Sequence, residues 1–375
     1  MRTAIISDLH LGSGSDSDLL RRAGIIERLC EATADAERLV LLGDVIELRD
    51  VPLEVAMDRA RPFFERIGSA FEAVVLVPGN HDHRLLGSWL ERVRDADRDL
   101  ELDELVAEPH PRVAAIEGWL GDASLEVRYP GMWVRDGVYA THGHYLDSHV
   151  TLPTIERLSI AAVDRIGGRP TGVRAAPADY ETVHTPVYDL LFDLAQGGRN
   201  PQAHRDGEPA GPSLRVWELL GGASGRARNW RGRLLRSTVV PAALRGLERG
   251  GVGSFGRDFS LAEIGRSGVE AMHVVVERLG IDADHVIFGH IHRRGALAGE
   301  DGRGATDPEW ERRGVTLHNA GCWIYVPTML GRASADSPFW PGRVVLVGEQ
   351  GAPEAVDVLA DAPHAELEPS SWSDR

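Results

Sequence analysis

The stretch Ala73-Val74-Val75-Leu76-Val77-Pro78-Gly79-Asn80-His81-Asp82 runs five apolar residues straight into a glycine and three polar side chains. Five residues suit a strand better than a helix, and the lack of alternation predicts a strand buried on both faces. The same grammar occurs twice upstream: Ala4 to Ile6 leads into Ser7-Asp8-Leu9-His10, and Leu39 to Leu42 leads into Gly43-Asp44. Between these runs, Asp18 to Ala34 places Leu19, Leu20, Ala23, Ile26 and Leu29 on one helical face, and Glu54 to Ala70 repeats the helical period. The order β-α-β-α-β with continuous apolar strands predicts a parallel α/β sheet. In such sheets ligands bind beyond the carboxyl ends of the strands, where each polar cluster falls.

Farther along, Trp89 to Leu105 reads as a charged helical stretch. Met132 to Arg135, Asp136-Gly137 and Val138 to Thr141 read as a hairpin whose second strand enters His142-Gly143-His144. From Tyr145 to about Ile281 helical patterns predominate, broken at Gly197 to Pro212 by a Gly/Pro-rich stretch expected to be disordered. Strand character returns at His285 to Phe288, ahead of Gly289-His290-Ile291-His292, and again at Val315 to His318 and Arg343 to Val347. The residues from Glu349 onward read as an acidic, frayed tail.

Asp8, His10, Asp44, Asn80, His142, His290 and His292 together offer two aspartates, one asparagine and four histidines. A mixed O/N set without thiolate suits Mn, Fe, Zn or Co better than Ca or Mg. Seven ligands are too many for one ion and about right for two ions sharing a carboxylate. The net charge of -16, from 41 basic and 57 acidic residues, argues against general duplex DNA binding and makes cations a requirement for handling phosphate. Cys30 and Cys322 are too few and too distant for a disulfide framework or a cysteine zinc site, which makes a reducing cytoplasm the expected compartment. The apolar run at Ala4 to Ile6 is too short for a signal peptide, and no run reaches the ~20 apolar residues of a membrane span.

In order, Asp8-Leu9-His10, Gly43-Asp44, Gly79-Asn80-His81-Asp82, His142-Gly143-His144 and Gly289-His290-Ile291-His292 resemble the five motifs of the calcineurin-like metallophosphoesterase superfamily. Asn319-Ala320-Gly321-Cys322-Trp323 is similar to the segment that often follows the last motif. The resemblance implies a four-layer α/β/β/α sandwich over residues 1–144 and 282–348, with a helical cap inserted at 145–281 and the acidic tail at 349–375. It further implies a dinuclear metal-dependent hydrolase, Mn foremost among its ions, that cleaves a phosphoester or pyrophosphate bond with a hydroxide bridging two dications ~4 Å apart. Asp8, His10, Asp44 and His292 would hold the first ion, and Asp44, Asn80, His142 and His290 the second, with Asp44 shared. His81 would stabilise the phosphoryl oxygens or protonate the leaving group, and Asp82 would orient its ring.

Gly43, Gly79 and Gly289 are expected to let the chain turn sharply beside the metals. Glu47 reads as an early helix charge in preference to a hydrogen-bond acceptor behind the ligands. His144 either faces the substrate or packs. His83, His149, His184, His204, His273 and His318 read as ordinary surface or core residues.

Within the insertion, Ser213 to Gly250 carries eight arginines against two glutamates, with Trp217 and Trp230 interspersed. Such a patch on an acidic protein points to an anionic partner: a phosphate-containing substrate, lipid-linked or nucleotide, or the surface of a membrane touched peripherally. Ser7 to Gly12 and Gly43 to Glu47 look similar to the branch that hydrolyses UDP-2,3-diacylglucosamine, from which the chain departs at His81 and His144. Two other readings are a nuclease that tracks DNA along the arginine patch and a non-catalytic scaffold. The complete ligand set argues against the scaffold.

Overall fold

The apolar runs at the start of the chain become strands because every residue in them has a core to enter. The computed structural model describes residues 1–150, 174–196, 261–296, 308–326, 330 and 335–368. In it β1 (Thr3–Ile6), β2 (Arg38–Leu42) and β3 (Ala73–Val77) pair in parallel, with α1 (Ala23–Ala32) and α2 (Leu53–Ile67) in the crossovers. The first helix is shorter than its apolar period suggests: Leu19–Arg21 forms a 3-10 turn and Arg22 is extended before α1 begins. Trp89 to Leu105 divides into α3 (Trp89–Asp95) and the strand β4 (Asp103–Leu105), and α4 (Val113–Leu120) follows.

β5 (Ser124–Arg135) and β6 (Val138–Thr141) form the expected hairpin, with Gly137 at φ 72° in its turn. Its first strand begins well before Met132, because residues 124–127 pair in parallel with β3 while 131–135 pair with β6. The remaining elements are α5 (Pro177–Ala195), α6 (Leu261–Leu279), β7 (His285–Phe288), β8 (Arg294–Gly295), β9 (Glu311–Arg312), β10 (Val315–Ala320), β11 (Arg343–Val347), β12 (Glu354–Asp357) and α7 (His364–Leu367). The strands make one sheet in the order β12-β11-β1-β2-β3-β5-β6-β7-β10-β8, with β4 on β5 and β9 on β10.

The sheet curls on itself through the long β5. Alternate residues of each strand point to opposite faces, and they divide accordingly. Ala4, Ile6, Leu39, Leu41, Val74 and Leu76 pack with α1 and α2, whereas Ile5, Val40, Leu42, Val75 and Val77 share a separate core with Met132, Val138, Ala140 and Ile287 from the other half. The outer face of that half, with Tyr139, Val286, Phe288 and Leu317, is covered by Val269, Met272 and Val275 of α6 and by Tyr180 of α5. The two described ends of the 145–281 stretch are thus built into the core. The Gly/Pro-rich and arginine-rich segments between them, and His204, lie outside the described residues.

The tail is not frayed as far as residue 368. β12 pairs antiparallel with β11, and Leu359 and Leu367 are fully buried. Asp357 accepts from the buried Arg343 at 2.8 Å and lies 3.0 Å from a guanidinium nitrogen of buried Arg294, so an acidic tail residue is held by cations of the core. Among the described residues no helix is long and apolar enough to cross a membrane.

His318 on β10 lies against His285 on β7, Nε2 to Nδ1 3.1 Å, and burial together with that neighbour pushes its pKa down to about 4. An unfolded histidine titrates near pH ~6.5. Below that the unfolded chain takes up a proton that the folded chain refuses, so the stability is present above pH ~6.5 and drains as pH falls toward 4, by up to about 3 kcal/mol. Urea midpoints of metal-free protein at pH 7 and pH 4.5 should therefore differ less in His318→Gln than in the parent. An equal difference would show that His318 does not carry this loss.

Candidate metal centre

All five polar clusters converge beyond the ends of β1, β2, β3, β6 and β7. The loops after β1 and β2 stay zipped together, Asp8 N donating to Gly43 O at 3.1 Å and His10 N to Asp44 O at 2.8 Å. Gly289 N donates to His142 O at 2.9 Å and so ties the last loop to the fourth. Asp8, His10, Asp44, His290 and His292 all adopt left-handed backbone conformations, with φ between 46° and 69°. Such conformations cost of order 1–3 kcal/mol each in residues with a side chain, and they collect at functional sites where the surroundings enforce them.

Three clusters result, each with its ligand atoms within 4.8 Å of one another: Asp8, His10 and His292; His10, Asp44 and His81; Asp44, His142 and His290. Asp44 belongs to two of them. Its Oδ2 lies 3.3 Å from His142 Nε2 and 3.8 Å from His10 Nε2. His292 Nε2 sits 3.0 Å from Asp8 Oδ1 and 3.4 Å from His10 Nε2. Asn80 joins the group with Oδ1 at 3.0 Å from His142 Nε2 and 3.1 Å from His290 Nδ1.

With the inward ring nitrogens unprotonated, these contacts set lone pairs against lone pairs, an arrangement that a cation relieves. Asp8 Oδ1 is buried and, apart from the 3.0 Å approach of His292 Nε2, has no hydrogen-bond partner among the described residues. With the amide of Asn80 reversed, its NH2 would donate to both rings and to Asp44, and its oxygen would accept from Arg49. That arrangement satisfies a cation-free cleft, whereas a cation among the same atoms requires the oxygen inward. The donor set, oxygen and imidazole without sulfur, suits divalent transition metals, and the residues present fit such ions.

Glu47 is no helix charge. It is buried in the loop ahead of α2, and its carboxylate contacts His10 Nδ1 at 2.9 Å and His81 Nδ1 at 2.7 Å. Holding the two Nδ1 atoms aims both Nε2 atoms at Asp44. Burial alone would raise the carboxyl pKa of Glu47, but His10 and His81 bring it below the usual range; the imidazole of His10 rises, against burial, to about 9. Asp44 and Asp8 likewise stay ionised despite burial because imidazoles face them.

Asp82 does not orient His81. Its carboxylate accepts from the backbone N–H groups of Gly79 at 2.6 Å, Val45 at 2.8 Å and Ile46 at 3.3 Å. Backbone donors left over where strand pairing ends need an acceptor, and this fully buried carboxylate supplies it. The glycine expectation also changes. Gly43 does turn the chain, at φ 81°, but Gly79 and Gly289 have no positive φ and serve by leaving room: a Cβ on Gly79 would lie 2.6 Å from Asp44 N and from His142 Cδ2.

His144 packs. It is buried beside His142, its Nε2 lies 3.1 Å from the Tyr129 hydroxyl, and burial, then the neighbouring His142, drive its pKa well below the usual value. Behind it Glu181 of α5, also buried, accepts from Tyr129, from Tyr145 at 2.5 Å and from Thr185 at 2.8 Å, and lies 3.0 Å from His83 Nε2. His83 is therefore part of a polar core joining α5 to the third and fourth motifs. Sequence reasoning missed Glu181 and also missed Asp147, whose Oδ1 is 2.9 Å from His290 Nε2.

A family model for calcineurin-like phosphoesterases matches residues 1–208. No curated protein matches. Among solved structures, a phosphopantetheinyl hydrolase (PptH) from Mycobacterium tuberculosis is 12% identical, with 94% of this chain and 98% of that chain covered and a TM-score of 0.34. A dimetal phosphatase from Danio rerio is 13% identical, with 96% and 99% covered and a TM-score of 0.31.

Proposed function

We propose, from the premise that this chain belongs to the calcineurin-like phosphoesterase family, that it is a dinuclear hydrolase of a phosphodiester, pyrophosphate or phosphomonoester. The observation that carries the reading is the convergence of ligand atoms from five strand ends on Asp44. Asp8, His10, Asp44 and His292 would hold one ion, and Asp44, Asn80, His142 and His290 the other, with manganese the first ion to try. When bound, the ions supply a polarised phosphoryl group and a water acidified to act near neutral pH. The curled sheet, with helices covering both outer faces, is read as four layers, α/β/β/α. Within the stretch from 145 to 281, whose described helices α5 and α6 belong to the core, the arginines of 213–250 are read as the cap's contribution, recruiting the anionic parts of a lipid-linked or nucleotide substrate.

His81 faces the open side of the site. Its side chain is 25% exposed, against 0% for His142 and 8% for His10. With Nδ1 against Glu47, the ring presents Nε2, which lies 4.0 Å from Asp44 Oδ2. On this reading that nitrogen would contact a phosphoryl oxygen or give a proton to the leaving oxygen, and the contact of Nδ1 with Glu47 supports the choice of nitrogen.

The direct test is metal analysis of purified protein together with hydrolysis of an aryl phosphodiester with and without Mn(II). Protein without bound transition metal and without Mn-stimulated turnover would end the reading. His81→Ala is expected to lower kcat by roughly 10²–10⁴-fold, the usual worth of a positioned acid, while two ions remain bound. Metal loss matching that of a ligand variant would remove the separate role of His81.

A further inference from the structure

Each of the two ions, on the dinuclear reading above, would have one histidine backed by a carboxylate. For the first, Glu47 stands behind His10. For the second the counterpart is on the 3-10 turn His144–Ser148, directly after the fourth motif. There Asp147 Oδ1 lies 2.9 Å from His290 Nε2, while His290 Nδ1 faces Asn80 Oδ1 and the Asp44 cluster. The two nitrogens of one imidazole thus have opposite tasks. A carboxylate accepts only, so Nε2 carries the proton and Nδ1 keeps its lone pair for a cation.

The charges say why this matters more at one ion than at the other. The first ion's set contains Asp8 in addition to the shared Asp44, whereas the second has no carboxylate of its own: Asn80, His142 and His290 are neutral ligands. Among the described residues His142 is backed by a carbonyl and no carboxylate, Nδ1 to Leu42 O 3.0 Å. Asp147 is 12% exposed, and its Oδ2 is buried without a hydrogen bond among the described residues. Burial opposes its charge, which His290 stabilises most, with His184 and Arg49 acting after it.

We propose that Asp147 is a positioning residue for the second metal ion, fixing the ring and proton of His290 and supplying the negative charge that this ion's own ligands lack. The inference rests on the dinuclear reading, and metal titration separates the two. Metal-free protein is titrated with Mn(II) and followed by calorimetry and by the electron paramagnetic resonance of bound Mn. Parent protein should take two ions with a spin-coupled signal. Asp147→Asn should bind the first ion as the parent does and the second about 10–100-fold more weakly, the usual effect of losing a group behind a metal ligand. It should show an uncoupled signal at one equivalent, and turnover should be restored by excess Mn.

Asp147→Asn conserves volume, so it decides the matter if Asp147→Ala does not fold; melting of the metal-free variants reports folding independently. A parent that never binds a second ion refutes the dinuclear reading itself. A parent that binds two and an Asp147→Asn variant with unchanged midpoints, or with both midpoints weakened equally, overturns the role of Asp147 alone.

Discussion

Asp44→Asn is expected to reduce Mn-dependent turnover to background and to abolish thermal stabilisation by added Mn(II). The substitution is close to isosteric, and Asp44 Oδ1, which accepts from His81 N at 2.8 Å, can be replaced by an amide oxygen that keeps this hydrogen bond. What then faces the imidazoles of His10 and His142 is an NH2 group, a donor where two cations need a shared acceptor. A unit charge at ~4 Å interacts with another by about 4 kcal/mol at an effective dielectric of ~20. The loss should therefore weaken metal binding by at least ~10³-fold. A ligand that binds only the folded state stabilises it, so melting with and without Mn(II) reads the same loss without reference to activity. Undiminished stabilisation by Mn(II) in Asp44→Asn would mean that Asp44 does not join the two sites.

The five clusters could be read from the sequence because each follows an apolar run that can only be a strand, and strand ends in a parallel sheet share one edge. That rule brings His10, Asp44 and Asn80 together; His142 and His290, on strands beyond the antiparallel β5–β6 pair, join them because the sheet curls on itself. The groups behind them follow no such rule. Glu47 lies three residues after Asp44, where a helix charge and a ligand support look identical until the loop is seen to stay extended. Asp147 and Glu181 act through a 3-10 turn and an insertion helix, for which no local period fixes direction. Asp82 reads as the partner of His81 because the two adjoin in sequence, while the backbone donors it serves are Gly79 of its own loop and Val45 and Ile46 of the loop after β2. The tail misled for a related reason: acidic composition resembles disorder unless buried cations such as Arg343 and Arg294 wait across the sheet.

Gly79→Ala should cost as much function as losing a ligand, although the added methyl group carries no charge and Gly79 is not itself a ligand. The position has no positive φ, so alanine meets no conformational penalty there. The obstacle is steric: the Cβ would collide with Asp44 Oδ1 and come within 2.6 Å of Asp44 N and of His142 Cδ2. One of these atoms is backbone and cannot swing away, and the others belong to two ligands of the second ion, one of them shared with the first. Overpacking of this kind usually costs about 1–3 kcal/mol of stability, which a domain of this size survives, so the expected product is folded protein with both metal midpoints weakened and turnover at least ~10³-fold down. Gly24→Ala in α1 is the matched control. Nothing lies within 4 Å of its Cβ, and replacing a helical glycine should stabilise by about 0.5–1 kcal/mol with activity unchanged. The comparison isolates space at the metal loop from any general intolerance of the fold. Wild-type Mn affinity and turnover in folded Gly79→Ala would show that the loop relaxes without moving Asp44 or His142, and would remove the close approach at Gly79 as a condition of the site.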